Sequence, residues 1–188
     1  GTDALLLALM AYDVRPRDAV FVSDFTFIAS AEVIALLGAF PIFVDIDPVT
    51  KNMSPEDLQK KILKVQSEKK LRARGVICVD LFGLTADYDA ISKISEQHGL
   101  FLIEDAAQSF GASYKGKKAG SFGNIAATRF FPAKPLGGYG DGGAVFTNET
   151  ALAEKMKSIR VHGQGNERYH HVRVGLNARL DTLQAAIL

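Results

Sequence analysis

The chain has 188 residues, 47% of them hydrophobic, and 22 Lys and Arg against 21 Asp and Glu leave a formal charge of +1. Such a chain suits one globular domain, or most of a larger one, and lacks the overall basic excess that marks a nucleic-acid binder. Its single cysteine, Cys78 in the apolar run Gly75-Val76-Ile77-Cys78-Val79, excludes a disulfide framework or a cysteine metal site within one chain and fits a reducing, cytoplasmic setting.

From the N-terminus, Thr2 or Asp3 is placed to cap a helix whose apolar positions are Leu5, Leu6, Leu9 and Met10, ending near Tyr12. Residues 19–23 form a short apolar strand, and Asp24-Phe25-Thr26-Phe27 a turn. A helix over residues 28–37 stops at Gly38, and residues 40–44 are the next strand, closed by Asp45-Ile46-Asp47-Pro48. Ser54-Pro55 starts a helix that runs to Lys64 or beyond. The charged residues 67–74 read as a surface connection, and the basic cluster at 115–118 as solvated surface. Residues 76–80 form a buried strand, residues 88–98 a helix stopped at Gly99, and residues 100–104 an apolar strand ending at Asp105. Strands follow at 125–129 and 143–147, then an amphipathic helix over 149–161 and a polar loop over 165–173. A last helix, 180–188, is capped by Asn177 or Asp181. Strands alternating with helices predict an α/β fold with a mostly parallel sheet covered on both faces. Ligands on such sheets bind beyond the carboxyl ends of strands, where Phe27, Asp45, Asp80 and Asp105 fall. No apolar run is long enough to span a membrane, and no stretch reads as a signal peptide. The absent initiator Met and the helical pattern reaching Leu188 suggest a fragment of a longer protein.

Lys134 stands between Pro132 and Pro135 at the mouth of a glycine-rich turn, after Phe130-Phe131. The prolines restrict the backbone around it, and Gly137, Gly138, Gly140, Gly142 and Gly143 allow positive φ and close approach of a ligand. Two readings stand: an amine positioned to form a Schiff base, or a solvated lysine on a hairpin. Asp105, at a strand end and three residues before Gln108, either holds a cation or protonated ring nitrogen, or caps the following turn. Gly1-Thr2 at a helix start is an anion site by its free N–H groups, or simply a cap. Phe27 either lies flat on a planar ligand or packs in the core. His162, His170 and His171 match no standard metal spacing, so no metal site is expected. No Walker A pattern and no Gly-x-Gly-x-x-Gly after the first strand supports nucleotide hydrolysis or a dinucleotide site. Pyridoxal phosphate unites these residues: it needs a lysine for its aldehyde, an acid for its ring nitrogen, a flat residue over the ring and a helix N-terminus for its phosphate.

The segments Gly1-Thr2-Asp3-Ala4-Leu5, Thr26-Phe27-Ile28-Ala29-Ser30-Ala31-Glu32, Phe43-Val44-Asp45-Ile46 and Glu104-Asp105-Ala106-Ala107-Gln108-Ser109-Phe110-Gly111 occur in the order of a known family. So do Phe130-Phe131-Pro132-Ala133-Lys134-Pro135-Leu136-Gly137 and Arg179-Leu180-Asp181-Thr182-Leu183-Gln184-Ala185-Ala186. Together they resemble the DegT/DnrJ/EryC1/StrS nucleotide-sugar aminotransferases, of pyridoxal-phosphate fold type I. The resemblance implies that Lys134 forms the Schiff base and later shuttles the proton. It further implies that Asp105 pairs with the ring nitrogen, Gln108 bonds the ring's 3-oxygen, Phe27 stacks on the ring, and Gly1 and Thr2 hold the phosphate. Asn177 would reach the phosphate of a partner subunit's cofactor, which implies a homodimer with shared active sites. The segments at residues 160–164 and 168–171 look most like enzymes that aminate the 3-keto carbon of a UDP-linked N-acetylglucosamine-derived uronic acid with L-glutamate. Their product feeds bacterial surface polysaccharide such as lipopolysaccharide O-antigen. Tyr139, His162 and Tyr169 are the expected substrate contacts.

Two positions depart from the family pattern. Arg129 stands where a serine hydroxyl usually bonds the phosphate; arginine could pair with phosphate by charge but is much larger. Gly138 stands where the subgroup often has cysteine. The N-terminal arm and the C-terminal small domain of family members are absent from residues 1–188, which correspond to the large cofactor-binding domain. Alternatives are a sugar dehydratase of the same family, which typically has histidine in place of Lys134, and an impaired or regulatory pyridoxal-phosphate-binding protein.

Overall fold

The computed structural model describes residues 1–188. Its centre is a six-stranded sheet in the order β2-β1-β3-β4-β7-β8. The strands are β1 (Asp18–Ser23), β2 (Phe40–Val44), β3 (Arg72–Val79), β4 (Phe101–Asp105), β7 (Ile125–Arg129) and β8 (Gly143–Phe146). All neighbours are parallel except β7 and β8, which pair antiparallel with Arg129 opposite Gly143.

Helices α1 (Thr2–Ala11), α2 (Ala29–Leu36) and α5 (Thr150–Ile159) cover one face of the sheet. Helices α3 (Pro55–Glu68) and α4 (Tyr88–Gln97) cover the other. The α1 core residues include Leu5, Leu7 and Leu9, and Leu6 and Met10 are only partly buried. The helix is thus sunk between α2, α5 and the sheet rather than resting on one apolar stripe, as a helix that is apolar nearly all round should be. Its N-cap is Gly1, with no side-chain capping bond from Thr2 or Asp3. Ser54 does cap α3, accepting from the Asp57 N–H at 3.3 Å. The last helix, α6 (Thr182–Ile187), has Asp181 at its N-cap.

One stretch corrects the sequence reading. Residues 67–74 are not a plain surface connection: α3 extends to Glu68 and β3 begins at Arg72. The polar start of β3 is tolerated because Arg72 donates to the buried Asp18 through Nε at 2.7 Å and Nη2 at 3.1 Å. Residues 115–118 are exposed, as expected, and belong to a small hairpin, β5 (Ser113–Tyr114) with β6 (Lys117–Lys118). Its two-residue turn has Lys115 at φ 49° and Gly116 at φ 82°, as a tight hairpin requires. No helix is long and apolar enough to cross a membrane.

Candidate active site

Asp105 is the last residue of β4 and only 2% exposed. Its Oδ2 accepts from the Ser30 hydroxyl at 2.8 Å, and its Oδ1 from the Ala107 N–H at 3.2 Å. The carboxylate therefore fixes the turn after β4 and still offers Oδ2 to a cation. Ser30, on α2, was not given a role by sequence reasoning, although it lies within the Thr26–Glu32 segment; its contact with Asp105 spans 75 residues.

The cation that Asp105 meets is Arg129, the last residue of β7. Its Nη2 lies 3.2 Å from Asp105 Oδ2, and the side chain is almost wholly buried. The guanidinium carbon lies 5.7 Å from the centre of the Phe27 ring. Phe27, in the turn between β1 and α2, is 61% exposed, so it is not the core residue of the alternative reading. The Arg129 stem runs over Gly1: a Cβ built there would come within 2.6 Å of Arg129 Cδ. Arg129 thus donates to Asp105 while its stem crosses the start of α1.

Gln108 follows one turn after Asp105. Its Oε1 accepts from the Phe82 N–H at 2.9 Å, which leaves the Gln108 amide nitrogen as a donor. Phe82 sits in a 3-10 turn, Leu81–Gly83, at φ 56°, and is exposed. A bulky residue in left-handed backbone needs outside support, and the Gln108 side chain supplies it. Sequence offers no sign of this aromatic; its strained φ is the signal.

The Lys134 turn is tied to the ends of β7 and β8. Phe130 N–H donates to Gly142 at 3.0 Å, Gly138 N–H to Phe130 at 2.8 Å, and Lys134 N–H to Phe131 at 2.8 Å. Lys134 is half-buried, and its amine joins no ion pair of the chain. The glycines act differently from the expectation: none of Gly137, Gly138, Gly140, Gly142 or Gly143 has positive φ. They admit the chain's own atoms instead. A Cβ on Gly137 would lie 2.6 Å from Pro132 O, one on Gly138 2.9 Å from Gln184 Oε1, and one on Gly143 2.8 Å from Thr128 O. Gln184 Oε1 also accepts the Tyr139 N–H at 2.8 Å, so α6 pins this loop.

The remaining candidates are spread out. Tyr139 and Tyr169 are 83% and 79% exposed, and His162 is exposed. Val161 and Asn177 form an isolated β-bridge, and the His162 N–H donates to Leu176 at 2.8 Å, so His162 and Asn177 lie on neighbouring segments. Asn177 and Gly1 line a cavity of about 840 Å³ that Lys134, Asp105 and Phe27 do not touch. Thr2, on the first turn of α1, is half-buried. The chemistry therefore centres on the ends of β4 and β7, and the cavity lined by Gly1 and Asn177 lies apart from it. Asp45, past β2, is spent on structure: its carboxylate accepts its neighbour's N–H, from Ile46, at 2.7 Å.

Behind Asp105 lies a buried acidic pair. Asp80 accepts from Tyr88 Oη at 2.8 Å, Ser109 Oγ at 2.7 Å and the Ala86 N–H at 3.1 Å. Glu104 accepts from the N–H groups of Gly120 at 2.6 Å and Phe122 at 2.7 Å. Burial raises both carboxyls, Glu104 to about 8, with the charge of Asp80 adding to the shift in Glu104. A carboxyl raised from 4.5 to about 8 on folding binds its proton more tightly when folded. It contributes stability at low pH that is lost as pH rises through that window, with a slope of at most about 1.4 kcal/mol per pH unit. Urea unfolding should show falling stability between pH 5 and pH 8, and Glu104→Gln should flatten that fall. An unchanged slope in the variant would assign the dependence elsewhere.

Pyridoxal phosphate can be tested against this geometry. Asp105, Ser30, Phe27, Gln108 and Lys134 provide the groups it needs. Arg129 does not fit beside it: the guanidinium is where a ring paired to Asp105 over Phe27 would lie, and its stem covers Gly1.

Residues 1–188 match the DegT/DnrJ/EryC1/StrS aminotransferase family. The chain is 54% identical over its full 188 residues to UDP-2-acetamido-2-deoxy-3-oxo-D-glucuronate aminotransferase of Pseudomonas aeruginosa, of which it covers 50%. It is 49% identical over its full length to a "pleiotropic regulatory protein" of Geobacillus stearothermophilus, of which it covers 48%. Among solved structures it resembles a DegT DnrJ EryC1 StrS aminotransferase from Brucella abortus, with a TM-score of 0.99 and 53% identity over 100% of this chain and 50% of that one. The chain spans about half the length of the curated relatives it matches. The expected α/β architecture, a mostly parallel sheet flanked by helices as in the pyridoxal-phosphate aminotransferases, holds.

Proposed function

We propose, from the premise that this chain belongs to the DegT/DnrJ/EryC1/StrS aminotransferase family, that the protein transfers an amino group to a keto-sugar nucleotide with pyridoxal phosphate as cofactor. The observation that supports this best is Asp105. It is a buried carboxylate at the end of β4, oriented by Ser30 and joined to the exposed Phe27 ring through the Arg129 guanidinium between them, one strand from the β7 end that leads to Lys134. Bound there, pyridoxal phosphate would supply the carbonyl that takes up and returns the amino group. Asp105 would hold the positive ring nitrogen, the free Gln108 amide would donate to the ring oxygen, and Lys134 would supply the amine that carries and exchanges the cofactor's aldehyde. Gly1 and Thr2 would face the phosphate, and Asn177 would serve a partner subunit's site in a homodimer. Tyr139, His162 and Tyr169 would contact the sugar nucleotide.

The name of the relative from Pseudomonas aeruginosa suggests the substrate, a UDP-linked 3-keto N-acetyl hexuronic acid; L-glutamate as donor and a cytoplasmic role in surface polysaccharide synthesis are carried over from the family resemblance alone. The intact protein, supplied with pyridoxal phosphate, L-glutamate and a panel of keto-sugar nucleotides, should form amino sugar and 2-oxoglutarate in equal amounts. Loss of water from the sugar without nitrogen uptake would favour the dehydratase. A second reading, a cofactor-binding regulatory protein without turnover, is favoured by one observation: Arg129 stands in the ring's place. Absence of product with every keto-sugar, despite cofactor binding, would select it.

A further inference from the structure

We propose that Arg129 is an internal occupant of the cofactor site, a guanidinium standing in for the cofactor's pyridine ring between Phe27 and Asp105. The inference rests on the proposed cofactor and deepens it: this site is closed by its own chain until the arginine swings out.

The guanidinium has the properties the site selects. It is planar, always cationic and a donor to carboxylate, and it can lie against an aromatic face. Arg129 uses all of them, with Nη2 3.2 Å from Asp105 Oδ2 and its carbon 5.7 Å from the Phe27 ring centre. The remainder of the side chain fills the space over Gly1, at the N-terminus of α1 where an anion would be held. One side chain therefore blocks both ends of the cofactor's place.

The fit is incomplete, which makes the occupant displaceable. Arg129 Nε is buried without a hydrogen-bond partner. A buried donor left unsatisfied carries a desolvation cost, so the closed arrangement does not use the arginine fully. The cofactor binds the fraction of molecules with Arg129 out, and its apparent affinity falls by that fraction. An arginine that is out about one time in ten weakens binding about tenfold.

The test titrates the intact protein, with any flanking sequence retained, as wild type, Arg129→Ser and Arg129→Met. Each is titrated with pyridoxal phosphate and with pyridoxal, which lacks the phosphate, reading the visible band of the lysine-bound aldehyde. Arg129→Met keeps the stem packed on Gly1 if the serine variant fails to fold. Arg129→Ser should bind both ligands at least about tenfold more tightly, and Arg129→Met should bind pyridoxal more tightly than wild type. Equal or weaker binding of pyridoxal phosphate by Arg129→Ser would overturn the inference and make the arginine a phosphate ligand. A band that forms in no variant and not in wild type would overturn the cofactor reading itself.

Discussion

Lys134→Ala should abolish the proposed amino transfer, lowering kcat by at least about a thousandfold, while the folded protein keeps its stability to within about 0.5 kcal/mol. The two halves of this expectation have separate grounds. The amine is assigned to carry the cofactor, and removing a group that forms the covalent link removes a whole route rather than one contact. The side chain is half-buried and joins no ion pair, so its truncation breaks no network. The turn that presents it is held by backbone bonds of Phe130, Gly138 and Lys134 itself, which alanine retains. Steady-state rates with the keto-sugar nucleotide, beside a urea titration, check both halves. A variant that keeps more than a tenth of the rate would remove Lys134 from the chemistry.

The second large effect concerns stability. Asp105→Ala should cost on the order of 3 kcal/mol, because it strands two buried donors and leaves the Arg129 guanidinium without its counter-charge until the arginine swings out. The stranded donors are the Ser30 hydroxyl and the Ala107 N–H, which both donate to Asp105. Adding Arg129→Ser to Asp105→Ala should recover part of the loss, since the orphaned cation is then gone. The double-mutant cycle should give a coupling of at least about 1 kcal/mol between the two sites. Strictly additive losses would show that the ion pair at 3.2 Å carries no net interaction.

Much of the fold was legible because its punctuation is local. The strand at residues 40–44 and the helix stops at Gly38 and Gly99 follow from apolar runs and from glycines at φ 71° and φ 63°. The start of β3 was not legible, since Arg72 and Arg74 look like surface until Asp18, 54 residues from Arg72, turns up beside them. The hairpin at 113–118 was hidden by strands of only two residues. At the site, residue types pointed to Asp105, Phe27, Gln108 and Lys134, and the fold brings Asp105 and Phe27 around one point. The family resemblance marked Arg129 as a departure, five residues before Lys134. Its choice of partner depends on β4 and β7 lying side by side, with Asp105 opposite Ala127. No local pattern carries that register. The glycines of the Lys134 turn were also misread. They make room for Pro132, Thr128 and Gln184, contacts that exist only once the loop is folded against β7 and α6.

The central claim is that Lys134 carries the cofactor in a site organised by Asp105. Borohydride reduction of the intact protein after incubation with saturating pyridoxal phosphate, followed by peptide mass analysis, tests it most directly. One pyridoxyl group is expected, on the peptide that contains Lys134, and it should be lost in Lys134→Ala. A label on another lysine, or a label that persists in Lys134→Ala, would contradict it.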